Sequence, residues 1–372
     1  MTLNLYSPPD PVDAQVVFEP VYSILVMMAA LRNPDFYAGI DEWAAKTVHQ
    51  MAPEMRETHE KLFSAIWLDA LANLVDRGKG TESFEGYLKA LKEHRPVELR
   101  DRIFKWTVNS PHIYIAFDYD VSQIKDPNSL LSDFDAFEAH FTNIFADKKR
   151  FDTRDAFELF NQPKTLKTLL VEHLSTLWKT TLEPEWERVE SRLKQTVIAF
   201  QQVVLADYTA IEALEKITGR NIQGAFQVER LQTFKKIRFL PHIHHGPYIL
   251  WFGNETTIYF GFPARQAPAS TFVSDLTYSK LDYDEVTLAN RHQALGDEIR
   301  LKIMLEMRKR EEMSTQEVID HFGLNKSAAS RHLRLLVATG LINERRQEGA
   351  KKVYQLNPKA ISEIIQLLHR LS

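Results

Sequence analysis

A chain of 372 residues is long enough for two or three domains. Apolar residues at 44% and charged residues at 26% are ordinary for a globular protein and exclude a disordered or fibrous class. The absence of cysteine excludes disulfides, thiolate metal sites, thiol redox sensing and a cysteine nucleophile.

The net charge of −4 is unevenly spread. Thr287 to Ser372 carries 15 Lys and Arg against 10 Asp and Glu, which leaves 31 against 40 for the remainder. A basic end on an acidic body points to a nucleic-acid module. The N-terminus has no basic stretch followed by an apolar one. The apolar run Ile24 to Leu31 is far shorter than the roughly 20 residues a bilayer requires. The expectation is a cytoplasmic protein with no membrane association.

In chain order, residues 14–19 read as a short strand, and Pro20 opens a helix carrying Val21, Ile24, Leu25, Met28 and Leu31 at helical spacing. Asp41 reads as an N-cap, and Pro53 as the first turn of a helix reaching Val75. Helical patterns follow at Phe84–His94, Pro96–Trp106 and Asp133–Phe145. Pro163 opens a strongly periodic run, and Pro184 interrupts it and starts another that carries Trp186, Val189, Leu193, Val197 and Phe200. This is a bundle pattern. It changes after about residue 230. Residues 236–240, 248–252 and 256–262 are rich in β-branched and aromatic side chains and read as strands, with Gly253-Asn254 as a hairpin turn. The Pro/Ala/Ser-rich piece 263–270 reads as the connection out of a first domain.

Helical periodicity resumes near Asp284. Ser314-Thr-Gln-Glu317 has the form of a capping box, and Gly323 permits the left-handed backbone of a tight turn between helices. Asn325 is a good N-cap for the next helix. Its Ala329, Leu333 and Leu336 share one face. Ser327, Ser330, Arg331 and Arg334 fall opposite, where short hydroxyls and Arg suit phosphates and base edges. Gly340 ends the helix. A hairpin follows whose tip, near Gly349, is flanked by Arg345, Arg346, Lys351 and Lys352. Pro358 opens a last helix with an apolar stripe of Ile361, Ile364, Ile365, Leu368 and Leu371. A basic hairpin alone is usually a solvated turn. The order of capped helix, Gly turn, Ser/Arg-faced helix, Gly and basic hairpin is what specifies a winged helix-turn-helix.

The stretch Gln293-Ala-Leu-Gly-Asp-Glu-Ile-Arg-Leu-Lys-Ile303 and the run Ser327-Ala-Ala-Ser-Arg-His-Leu-Arg-Leu-Leu336 with Gly340-Leu-Ile resemble the ArsR family of winged-helix repressors. The resemblance implies a homodimer, paired through the first and last helices of the module, on a palindromic operator in double-stranded DNA. The family's metal sensors carry thiolates on the first helix of the motif. Here that helix reads Glu317-Val-Ile-Asp-His, and the final helix offers only His369, so metal sensing does not carry over. The region ahead of the module resembles regulators in which a helical domain of unknown ligand precedes an ArsR-like module, on Glu19-Pro-Val-Tyr-Ser-Ile-Leu, Trp43 and Trp186-Glu-Arg-Val.

The expected fold is mainly α with a small β component. Residues 1–278 form a helical sensor domain that ends in a few antiparallel strands near 236–262, and residues 283–372 form the winged helix-turn-helix. Lys326, Arg345, Arg346, Lys351 and Lys352 are expected on phosphate. Ser327 and Arg334 share the DNA-facing side, and Ser330, Arg331 and His332 are expected on base edges. No Gly-x-Ser-x-Gly, P-loop, strand-borne GxGxxG or HExxH occurs, so no catalytic residue and no cofactor is assigned. His242-Ile-His244-His245 is the one constellation able to hold zinc. No carboxylate sits at recognisable spacing from it, so no metal ligand is assigned. All six tryptophans precede residue 252. Most aromatics at such spacing are core, while a pocket for a small-molecule or peptide effector is the functional reading. The alternative is an N-terminal enzyme or protein-interaction domain fused to a winged helix used for DNA or protein contacts.

Overall fold

The computed structural model describes residues 12–32, 34, 37–75, 82–111, 115, 124–144, 152–200, 203, 205, 208–220, 228–264, 285–346 and 352–371. The body is mainly helical. Its elements are β1 (Asp13–Val16), α1 (Pro20–Ala29), α2 (Glu42–Gln50), α3 (Pro53–Ala65), α4 (Leu68–Ala72), α5 (Phe84–Glu93), α6 (Pro96–Val108), α7 (Phe134–Ile144), α8 (Thr153–Phe160), α9 (Pro163–Leu177), α10 (Glu183–Phe200), α11 (Ala210–Thr218) and α12 (Val228–Leu231). Strands β2 (Lys236–His242), β3 (Leu250–Gly253) and β4 (Thr257–Pro263) complete it. Prolines open α1, α3, α6 and α9, where the missing N–H has no intrahelical partner to lose. Asp41 caps α2 by accepting from the Trp43 N–H.

Two expected helices are built differently. The one expected to run from Pro53 to Val75 stops at Ala65. Ile66 and Trp67 are extended, and α4 follows. The break turns Asp69 inward, where its carboxylate accepts from the Gly253 N–H at 2.8 Å and the Ser110 hydroxyl at 2.7 Å. Pro184 lies at the second position of α10, and α9 reaches it through a π-helical turn at Trp178–Leu182. The wider turn relieves the clash between a proline ring and the carbonyl four residues earlier.

The body sheet has the order β1-β2-β4-β3. The expected antiparallel pairing holds for β3 with β4, whereas β1–β2 and β2–β4 run parallel. The β3–β4 hairpin, turned by the Asn254 side chain accepting from the Thr256 and Thr257 N–H groups, folds its second strand in beside β2. One sheet face packs into the bundle through Leu240, Phe252 and Tyr259. The other packs through Ile237, Phe239, Ile258, Phe260 and Phe262 against α11 and the end of α10. Burial on both faces is why these strands read as continuous apolar runs rather than alternating ones. Pro241 is tolerated because β1 stops opposite Phe239, leaving that edge of β2 unpaired.

The tryptophans 67, 106, 178 and 186 are buried in the body. Trp178 donates to the Glu85 carboxylate at 2.9 Å. In the connection expected at 263–270, Pro263 ends β4 and Ala264 donates to the His242 carbonyl, while 265–270 lie outside the described residues.

The C-terminal module comprises α13 (Glu285–Leu295), α14 (Glu298–Arg310), β5 (Glu312–Ser314), α15 (Thr315–Phe322), α16 (Lys326–Ala338), β6 (Ile342–Arg346), β7 (Lys352–Leu356) and α17 (Pro358–Leu371). Its sheet is antiparallel, in the order β5-β7-β6. Ile303, Met307, Val318, Leu333, Leu336 and Leu341 are among the residues of its apolar core.

Candidate nucleic-acid interface

Each turn of the helix-turn-helix is set by a named group. At the start of α15, Ser314 and Glu317 form a reciprocal capping box, with the Ser314 N–H donating to the Glu317 carboxylate at 2.7 Å. Gly323, at φ 63°, returns its N–H to the Ile319 carbonyl. Asn325 then caps α16 by accepting from the Ala328 N–H at 2.8 Å. Such a cap is worth about 1 kcal/mol. Gly340, at φ 71°, ends α16, and its carbonyl accepts from the Asn357 side-chain amide at 2.8 Å. That bond ties the end of α16 to the start of α17.

The scaffold behind α16 is held by buried guanidiniums. Arg291 of α13 pairs with Glu363 of α17 at 2.9 Å and donates to the Thr339 carbonyl at 3.1 Å. Arg300 donates to the carbonyls of Ala294 and Gln293 at 2.5 and 2.9 Å. Asp297 caps α14 by accepting from the Arg300 N–H. Burial alone would raise its pKa, but that bond and the Arg300 charge outweigh burial and lower it.

The sequence-assigned residues take distinct positions on this scaffold. Lys326, Ser327 and Arg331 are exposed along α16. Ser330 is half-buried, and its carbonyl accepts from Arg334 Nε at 3.1 Å. Arg334 is half-buried, with its guanidinium 5.6 Å from the centre of the Tyr37 ring. His332 is buried, with Nδ1 3.7 Å from the Asp297 carboxylate. Burial is the main cause lowering its pKa, against the opposing pull of Asp297.

In the wing, Arg345 pairs with Glu312, and Lys352 with Glu344 at 2.6 Å. The Arg345–Glu312 pair is solvent-facing and worth about 0–1 kcal/mol, so a phosphate can displace that carboxylate, whereas Glu344 is more buried than its Lys352 partner. Arg346 lies on β6 opposite Lys352. Lys351 and the expected tip near Gly349 lie outside the described residues. The two carboxylate partners are 33 and 8 positions from their cations, a separation no local pattern marks.

The histidine run is wired into the body. β2 ends at His242, so the three imidazoles do not share a strand face. His242 Nε2 bonds the Tyr248 carbonyl at 2.8 Å, His245 Nε2 the Val26 carbonyl at 2.7 Å, and His244 Nε2 the Glu185 carboxylate at 2.5 Å. Burial holds His242 well below the ordinary imidazole range and takes His245 down to about 4. Glu185 is the neighbouring carboxylate that sequence spacing does not reveal. Among the described residues no group of three or more His, Asp or Glu is arranged to hold a metal ion.

A capped helix, a glycine turn, a helix with an exposed Lys/Ser/Arg stripe and a basic antiparallel wing together define a winged helix-turn-helix. Residues 297–344, from the cap of α14 into the first wing strand, match the family model of the bacterial regulatory protein, arsR family. This segment is an ArsR-type helix-turn-helix, which supports a DNA-binding transcription regulator. No curated protein matches the chain. No helix among the described residues is long and apolar enough to cross a membrane.

Proposed function

We propose that the chain is a homodimeric, sequence-specific repressor that binds a palindromic operator and takes its signal through the N-terminal body. The observation that carries the reading is the exposed stripe of Lys326, Ser327 and Arg331 on α16, beside a wing that bears Arg345 and Lys352. Two recognition helices in successive major grooves sit about one helical turn apart, and occupancy of a promoter there blocks transcription.

The dimer is supported by Ile365 and Leu368 on α17, each 49% exposed on a helix whose Ile364 is buried in the module. An apolar face left open at the end of a module is what a second copy covers. The sensing role rests on the size of the body and its own two apolar cores, which exceed what pairing two modules needs.

Selection of duplexes from a random pool, followed by salt titration of the winners, tests the proposal. The expected winners contain two inverted half-sites. Arg331→Ala should cost about 1–3 kcal/mol on the selected site and relax preference at one position, whereas Lys326→Ala should weaken all sequences alike and reduce the salt slope by about one. Enrichment of no motif, with binding indifferent to salt, would sink the reading.

A further inference from the structure

The loop at residues 37–41 of the body lies against the recognition helix. The Tyr37 ring sits under the Arg334 guanidinium, and a Cβ on Gly39 would stand 3.1 Å from Leu335 Cδ1. Ala38 and Tyr248 pack on the apolar core of the module. Each residue of a helix advances about 100° around its axis. Leu335 is one such step from both Arg334 and Leu336, on the flank of the helix between the Arg-bearing side and the module core. It is 1% exposed, belongs to the module's own apolar core, and also meets Gly39 of the loop. The loop continues into a cleft of about 410 Å³, where Asp41 and Glu42 line the wall together with Arg300, Arg331 and His332.

The loop is braced from behind. The Tyr248 hydroxyl donates to the Ala38 carbonyl at 2.8 Å, and the Asp41 N–H donates to the His244 carbonyl at 3.2 Å. A Cβ on Gly246 would meet the Gly39 carbonyl oxygen at 1.9 Å, so the two backbones are in direct contact there. The histidine-bearing loop thus sets where residues 37–41 stand.

A major groove about 12 Å wide is filled by one helix with its side chains, about 10–12 Å across. A second layer of backbone on the same helix does not fit.

We infer that residues 37–41 are an autoinhibitory plug: seated on Arg334 and Leu335, they bar α16 from the major groove, and DNA binding requires their release. The inference rests on the DNA-binding reading of α16. Asp41, which lines the same cleft as Arg331, adds to the block by offsetting the positive field that draws a phosphate backbone. A signal reaches DNA by favouring the state in which the plug has left, and its effect is limited to its differential affinity for that state.

The chain lacks cysteine, so a bridge can be placed without background. Ala38→Cys and Gln293→Cys, both outside the DNA-facing stripe, are introduced together in the full chain and joined with a short bismaleimide. Binding is read on the duplex selected from a random pool by the unmodified chain. The bridged protein should bind at least about tenfold more weakly than the same variant unbridged. Tyr37→Ala, which removes one cation–π contact, should bind about 2- to 5-fold more tightly than the parent chain. Equal affinity of bridged and unbridged protein overturns the plug. Loss of DNA binding in every form, with folding retained by circular dichroism, overturns the DNA-binding reading itself and the plug with it.

Discussion

The body and the module bury ionisable groups in different proportion: the body also buries Asp69, Glu185 and Arg238 and the module His332, but imidazoles predominate in the first and guanidiniums in the second. The body buries imidazoles and keeps them neutral: His59 hydrogen-bonds His173 at 3.1 Å, while His242 and His245 bond backbone carbonyls. Burial lowers the pKa of all four. The module buries guanidiniums and keeps them charged, pairing Arg291 with Glu363 and wrapping Arg300 in carbonyls. Neutral imidazoles cost little to bury but fail when protonated. A buried ion pair is indifferent to mild acid but fails when one partner is removed. The two halves should therefore break under different insults.

The largest effect should come from Arg291→Ala, which leaves Glu363 buried and unpaired at a cost of about 3–5 kcal/mol. The damage should show as faster hydrogen exchange in residues 285–371. Tryptophan fluorescence should hold, because all six tryptophans lie in the body. A fluorescence transition that shifts as far as the exchange would break the comparison.

Acid should strike the other half. An imidazole whose pKa falls on folding binds its proton more tightly in the unfolded chain. Stability is then complete above about 6.5 and is lost as pH falls toward 4, the value His245 reaches in the fold. For His245 that loss is on the order of 3 kcal/mol. Denaturant titrations followed by tryptophan fluorescence should move to lower midpoints between pH 6.5 and 4. His245→Gln should flatten that slope, and an unchanged slope would remove His245 from the account.

The smallest effect sharpens the module's side. Glu311, which ends α14, holds φ 68° and ψ −43°, a strained conformation for a residue with a side chain. Glu311→Gly should stabilise the module by about 1 kcal/mol after allowance for glycine's greater freedom when unfolded. Thermal unfolding followed through the module's exchange should shift upward, and tryptophan fluorescence should not.

What the sequence discloses divides along the same line. The module is written in short-range signals: Ser314 with Glu317, Gly323, Asn325 and Gly340 each act within three or four residues, and each takes the role its spacing implies. The body's shape depends on pairings that local periodicity does not contain. β1 joins β2 across more than 200 positions, and Asp69 fixes the turn at Gly253 from a helix far upstream. The break at Ile66–Trp67 accompanies that distant hydrogen bond, which a helical pattern running to Val75 could not reveal. Within α16, periodicity separates Leu333 from Arg331. It does not show that Asp297, the cap of α14, waits beside His332, or that Tyr37 waits beside Arg334. The wing cations were legible as basic residues, and their carboxylate partners were not, because strand pairing rather than sequence proximity brings Glu312 and Glu344 to them.

Tyr37 and Arg334 belong to one polypeptide, and mass action treats their contact differently from one between copies. Dilution separates dimers but leaves an intramolecular contact at the same local concentration. The block on α16 is therefore set by the chain itself and independent of how much protein a cell makes. On the proposed dimeric reading, abundance governs only how many released modules find a second copy and an operator.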